Sequence, residues 1–274
     1  MQDEYSLEQD RVFSLDEFKQ FDRLNQNTNS RIPIFFCVDV SASMKKVVNF
    51  GETRLSLLSK VMRRLLENMK NHPVLSERAV IGVVTYNNRA VLQQTALDLA
   101  ILNIDDATNF VAENQTIFSL GLRCTIQAID QYRESIRRSD VETFTPILVF
   151  MTDGEPVGDS DSEIEAVYNE IWRRVQRDDL YVFPIGISQE ARMSYVKALS
   201  PADQWYQMIN ESDFIKVFGE IERIVCDKPS STAEEKTNMT KMASKLKDTK
   251  DTGSGTSFVL SDLVKILEEH KEKY

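Results

Sequence analysis

The chain has 274 residues, 42% of them apolar, and a formal net charge of −10. That is enough for one core of about 200 residues with tails, or for two small domains. The acidic balance disfavours a general nucleic-acid binder, whose phosphate ligand rewards a basic face, and no apolar run approaches the roughly 20 residues of a membrane-spanning helix. Cys37, Cys124 and Cys226 lie far apart, with no pair at metal-ligand spacing. Residues 1–18 have neither the basic start nor the apolar centre of a secretory signal. Buried thiols in a reducing compartment, the cytoplasm, are therefore expected.

Residues 1–30 read as a polar extension in which Phe18, Phe21 and Leu24 recur at the spacing of one short helix. "RIPIFFCVD" (31–39) is a continuous apolar run, the pattern of a strand buried on both faces. "TRLSLLSKVMRRLLENMK" (53–70) places Leu55, Leu58, Met62, Leu65, Leu66 and Met69 on one helical face. "AVIGVVTY" (79–86) is a second buried strand, joined to "RAVLQQ" (89–94) by a turn at Asn87-Asn88. A long helical pattern covers about 116–138, with Phe118, Leu122, Ile126, Ile129 and Ile136 in register. "PILVFMTDG" (146–154) is another buried strand that ends in an aspartate, and "SEIEAVYNEIWRRVQ" (162–176) is an amphipathic helix. "LYVFPIGI" (180–187) is a further strand; a short helix near 189–199, a strand at 204–209 and a helix at 212–225 close the pattern.

Apolar strands alternating with amphipathic helices predict an α/β fold: a Rossmann-like, doubly wound, mostly parallel sheet with helices on both faces. Beyond it, residues 227–256 carry few large apolar side chains and read as a flexible linker. Residues 257–274 hold Leu260, Leu263, Val264 and Leu267, enough for one short helix. The expected organisation is a polar extension (1–30), one α/β domain (31–226), the linker (227–256) and the terminal helix (257–274).

In a parallel α/β sheet the carboxyl ends of the strands form the ligand-binding rim. Asp39 and Asp153 both stand at predicted strand ends, on one edge, and Ser41 and Ser43 follow Asp39 at every second position. Four hard oxygen donors in a small volume suit Mg²⁺ or Mn²⁺, and the lack of a histidine or cysteine beside them disfavours zinc. Glu155, Asp159 and Asp161 read as solvated acids near the rim.

These residues resemble those of von Willebrand factor A-type domains. "DVSAS" (39–43) is similar to that family's DxSxS element, and "FMTDGEPVGD" (150–159) is similar to its second-aspartate strand, with Asp153 as the aspartate. The resemblance covers about 31–226 and calls for a threonine as well. Thr116 stands before the long helical pattern and Thr125 inside it; using Thr125 would sacrifice the first turns of that helix, so Thr116 is chosen. Asn114-Gln115 stand where the family usually has glycines, and Ala42 stands where a glycine commonly separates the serines. "TDGEP" after "PILVF", with "YVFPIGI" further on, is similar to the bacterial tellurium-resistance-associated, TerY-like branch.

The resemblance implies a metal-ion-dependent adhesion site. Ser41, Ser43 and Thr116 would bind Mg²⁺ directly, with Mn²⁺ or Ca²⁺ as alternatives, while Asp39 and Asp153 act mostly through bridging waters. It implies a protein partner that supplies an Asp or Glu carboxylate, and a role in recognition, not catalysis, in a stress-response or phosphorylation-linked system. No nucleic acid or membrane is expected as a partner. One rival is a haloacid-dehalogenase-like phosphatase with Asp39 as nucleophile and Gly158-Asp159 on the rim. Its general acid would stand two residues after the nucleophile, where this chain has Ser41. His72 before a proline and His270 in the tail offer no evident base. The other rival is a metal-free scaffold that binds partners through its helices or tails.

Overall fold

Ile32–Asp39 (β1) is buried along its whole length, so it requires neighbours on both edges and packing on both faces. Ile32, Ile34, Phe36 and Val38 enter one apolar cluster, and Phe35 and Cys37 enter the other, as the two-residue period of a strand dictates. In this computed structural model the described residues are 29–49, 51–137, 141–188, 191, 193–200 and 205–208, with 213, 216 and 219 singly. The expected helices in the N-terminal extension and at 257–274, the linker, and nearly all of the helix expected at 212–225 lie outside them. The chain divides into two units, Met1–Lys228 and Pro229–Tyr274; everything below concerns the first.

β1 pairs in parallel with Ala79–Tyr86 (β4) on one edge and with Ile147–Thr152 (β6) on the other. Tyr181–Ile187 (β7) and Tyr206–Met208 (β8) continue the sheet in parallel beyond β6. Ala90–Asp98 (β5) lies antiparallel on the outer side of β4, after the expected turn, and runs past the predicted end at Gln94. The order is β5-β4-β1-β6-β7-β8. Val47–Asn49 (β2) and Glu52–Thr53 (β3), which follow β1 in the chain, form a separate two-stranded antiparallel ribbon; strands this short carry no periodicity to read.

Arg54–Asn71 (α1) starts at Thr53, whose Oγ1 accepts the Ser56 amide at 3.1 Å, one of the orphan donors of a helix start. It buries Leu58, Met62, Leu66 and Met69 against one face of the sheet. Pro73–Arg78 (α2), capped by His72, and Ile104–Thr108 (α3) cover the same face. Phe118–Ile136 (α4) covers the other with Phe118, Leu122, Ile126 and Ile129, beside Asp161–Gln176 (α5) and Met193–Leu199 (α6). A capping box of Ser160 and Glu163 opens α5. The chain thus covers one face through α1–α3 and the opposite face from α4 onward. The jump from one side of β1 to the other leaves a crevice where β1 and β6 end, the switch point at which open α/β sheets bind ligands.

α4 approaches β4 closely at Gly121. A Cβ there would stand 2.5 Å from Cγ of Tyr86, a buried ring stacked on Phe150 at 5.8 Å whose hydroxyl donates to the Met151 carbonyl at 3.2 Å. Alanine is better than glycine in a helix by about 1 kcal/mol, but overpacking a filled core costs about 1–3 kcal/mol. Gly121→Ala is therefore expected to lower the unfolding free energy in a denaturant titration, and a stabilised variant would show that Tyr86 can yield.

Candidate metal centre

β1 reaches the rim at Asp39. The Val40 amide still bonds to the Tyr86 carbonyl at 2.9 Å, and the chain then turns out through Ser41 into a 3-10 turn at Ala42–Lys45. That turn gives Ala42 an ordinary negative φ, which is why its methyl is tolerated without glycine. Asn114 has a φ of 63°, in the left-handed region that asparagine adopts more readily than other side chains. It does the conformational work expected of a glycine. Its carbonyl accepts the Ala42 amide at 2.9 Å, and the neighbouring Glu113 amide donates to the Val40 carbonyl at 2.8 Å. On the other side, the Thr116 carbonyl accepts the amides of Val157 at 3.0 Å and Gly158 at 3.3 Å. Backbone bonds thus tie together the loops after β1, before α4 and after β6.

Those loops bring Asp39, Ser41, Ser43, Thr116 and Asp153 to the rim. Asp39 Oδ1 accepts the Ser41 amide at 2.8 Å and Oδ2 accepts the Thr152 hydroxyl at 2.7 Å. The Ser43 hydroxyl donates to Asp153 Oδ1 at 2.6 Å, and the Ser41 and Ser43 oxygens are 2.9 Å apart. Ser43 has one proton and directs it at Asp153, so Ser41 is the donor in the serine pair. Arg54 Nη1 donates to Asp153 Oδ2 at 2.8 Å, an ion pair with both side chains almost wholly buried. Thr116 is 4% exposed, and a methyl placed on Gly154 would stand 3.8 Å from Ser43 Oγ and 3.9 Å from Thr116 Oγ1. Both hydroxyls border space that this glycine leaves open. Thr125 is elsewhere, buried within α4 with its hydroxyl donating to the Gly121 carbonyl at 2.8 Å.

This donor set fits a small hard cation: hydroxyls at the front, with two carboxylates hydrogen-bonded beside and behind them. Among the described residues no group of three His, Cys, Asp or Glu side chains could hold a metal, so the hydroxyls are indispensable to any such site. An open groove of about 470 Å³ between α4 and α5, lined by Arg123, Gln127, Asp130 and Glu170 among others, includes none of the rim residues.

Three partners here escape a reading of the sequence. Thr152 fixes Asp39, although it looks like an ordinary last residue of a strand. Arg54 is the first residue of α1, and its only signal is position: it precedes Leu58 by four residues on the apolar stripe. Asp159 is not a freely solvated acid as expected. It accepts the Phe118 amide at 2.5 Å and the Ser119 amide at 3.1 Å, neutralising the start of α4 from another loop. Helix caps are sought next to the helix in sequence, and this one is 41 residues from Phe118.

Burial pushes the Asp39 carboxyl up to about 7, helped by the negative charge of Asp153 and opposed by the hydrogen bonds from Ser41 and Thr152. Folding therefore raises its proton affinity. The stability Asp39 contributes is full below the ordinary carboxylate range and is lost as pH rises through about 7. An amide at this position does not titrate. With divalent cations chelated, Asp39→Asn should gain on the wild type between about pH 5 and pH 8, by on the order of 2–3 kcal/mol in unfolding free energy. A difference that stays flat over that range would mean that Asp39 is ionised throughout.

The sequence model of the von Willebrand factor type A domain matches residues 34–223. The PilB minor pilin from Streptococcus sanguinis superposes with a TM-score of 0.55 at 14% identity, over 73% of this chain and 64% of that one. The pilus adhesin SpaC from Lactobacillus rhamnosus GG gives 0.54 at 11% identity, over 73% and 31%. Proximal thread matrix protein 1 from the mussel byssus, in a form with a zinc-occupied MIDAS motif, gives 0.51 at 17% identity, over 73% and 47%. The chain thus spans less than two thirds of each of these proteins, and identities this low speak for the fold alone. A search of curated proteins returns no match. With more than half of its length matched by the family's sequence model and its sheet order and rim described above, this chain belongs to the von Willebrand factor type A domain family.

Proposed function

We propose that this domain binds a divalent cation at the rim and uses it to capture an acidic side chain of a partner protein. The observation that carries the reading is the convergence of Ser43 Oγ and Thr116 Oγ1 on the space over Gly154, next to Asp153 and Ser41. Ser41, Ser43 and Thr116 are the direct ligands. By taking the Ser43 proton, Asp153 turns the lone pairs of that oxygen away from itself and toward the cation. Asp39 holds the Ser41 backbone and acts from behind. Mg²⁺ is the first choice for so compact a set of hard oxygens, with Mn²⁺ and Ca²⁺ as alternatives. Few anions touch such a cation, so it supplies an electrophilic position that a carboxylate oxygen can complete.

The surroundings favour a protein partner. Four large apolar side chains are well exposed among the described residues. Val111 and Val157 stand on the loops of Thr116 and Asp153, and Val47 opens β2 just after the turn that carries Ser43. Exposed Lys45 and Lys46 add positive charge beside Ser43. A partner that offers an acid flanked by apolar residues would meet both features. The domain acts by recognition and not turnover, since a hydroxyl occupies the position where a phosphatase would hold its general acid. Its similarity to the TerY-like branch at "TDGEP" and "YVFPIGI" suggests a stress-response setting in a bacterial cytoplasm.

Mg²⁺ should raise the Tm of the protein by mass action, by about 2.7 kcal/mol of stability at a hundred times Kd. Ser43→Ala and Thr116→Ala should abolish the rise, and Thr125→Ala should keep it. Capture of the physiological partner should likewise need Mg²⁺ and fail with Thr116→Ala. An unchanged Tm in Mg²⁺, Mn²⁺ and Ca²⁺ would favour the metal-free scaffold. Hydrolysis of p-nitrophenyl phosphate that depends on Mg²⁺ and disappears in Asp39→Asn would replace recognition with phosphatase chemistry.

A further inference from the structure

The Arg54–Asp153 pair is not required by a set of hydroxyl ligands. A side chain 6% exposed, with Nη1 2.8 Å from Asp153 Oδ2, places a permanent positive charge beside the Asp153 carboxylate. It is held there by construction: Arg54 is the first residue of α1, its amide bonds to the Lys46 carbonyl at 3.0 Å, and Thr53 caps the helix. Arginine does not lose its proton in proteins, so this charge is present at every physiological pH. Both oxygens of Asp153 are already engaged, one by Ser43 and one by Arg54.

Building on the proposed cation site, we propose that Arg54 is a resident counter-cation that sets how strongly this centre holds a divalent ion. It compensates the Asp153 carboxylate in the metal-free protein, which keeps the rim folded without a metal. When an ion arrives, the same guanidinium competes with it for the buried Asp153 carboxylate, in surroundings where charges interact strongly. The outcome is a weak ion whose charge is little neutralised by the protein. Such an ion is readily exchanged on its own and is held best when a partner's carboxylate adds the missing negative charge. Arg54 is thus a tuning residue that weakens metal affinity and strengthens the dependence on an acidic partner.

The test measures Mn²⁺ affinity of the full chain by electron paramagnetic resonance, with Mg²⁺ competing, and needs no partner. Arg54→Gln should bind about tenfold tighter or more, while Arg54→Lys, which keeps the charge, should stay within about threefold of the wild type. A purely structural role predicts equal or weaker binding in Arg54→Gln, and that result overturns the proposal. If Arg54→Gln does not fold, Arg54→Met, whose unbranched side chain fills a similar volume without a charge or unmet donors, carries the test. Its Mn²⁺ affinity should likewise be about tenfold tighter than that of the wild type, and equal or weaker binding overturns the proposal. Absence of binding in the wild type and in all these folded variants would instead remove the cation site itself, a result distinct from equal binding in all of them.

Discussion

Taking a carboxylate out of water costs several kcal/mol unless hydrogen bonds or an opposite charge replace the lost solvent. Two adjacent strands of this domain deliver a buried aspartate to the same rim, Asp39 at the end of β1 and Asp153 just past β6. Each of their four carboxylate oxygens has a protein donor: the Ser41 amide, the Thr152 hydroxyl, the Ser43 hydroxyl and the Arg54 guanidinium. Satisfying those oxygens fixes the Ser41–Ser43 loop, the orientation of both serine hydroxyls and the position of the first turn of α1.

The remaining structure serves that rim by holding its loops still. The loop before α4 bonds to the β1 loop through Asn114 and Glu113, and to the β6 loop through the Thr116 carbonyl. Asp159 then anchors the start of α4 from the β6 side. A rim assembled from loops gains rigidity when other polar contacts lock its members. Here those contacts are mostly backbone hydrogen bonds, which do not depend on long side chains staying ordered. Beneath them, α4 packs Phe118 edge-on against Phe150 at 5.2 Å and Tyr86 at 6.2 Å, so the helix that follows Thr116 is fastened to the sheet at its first turn.

Arg54 and Asp153 give the centre a tension that a hydroxyl–carboxylate cluster alone would lack. Burial, and after it the negative charge of Asp153, raises the proton affinity of Asp39. The Arg54 guanidinium supplies the opposite charge beside Asp153. If the rim holds a divalent ion as proposed, the same charge opposes it, and stability without metal and affinity for metal would pull against each other.

The sequence by itself determined the fold class and most of the rim. Continuous apolar runs can only be strands buried on both faces, and the helical patterns between them impose parallel crossovers, so the two strand ends carrying Asp39 and Asp153 had to share an edge. That Thr116 would lie at the rim and Thr125 within α4 was also legible, because a residue inside the apolar register of α4 must face its own helix or the core. What only the tertiary structure decided were the partners that reach these residues from distant segments: Arg54 from the next helix, Thr152 from the neighbouring strand, Asp159 from another loop. Periodicity and local capping patterns describe a segment and its near neighbours in sequence. A hydrogen bond between residues 41 or 99 positions apart exists only once the sheet has set the distance between their loops.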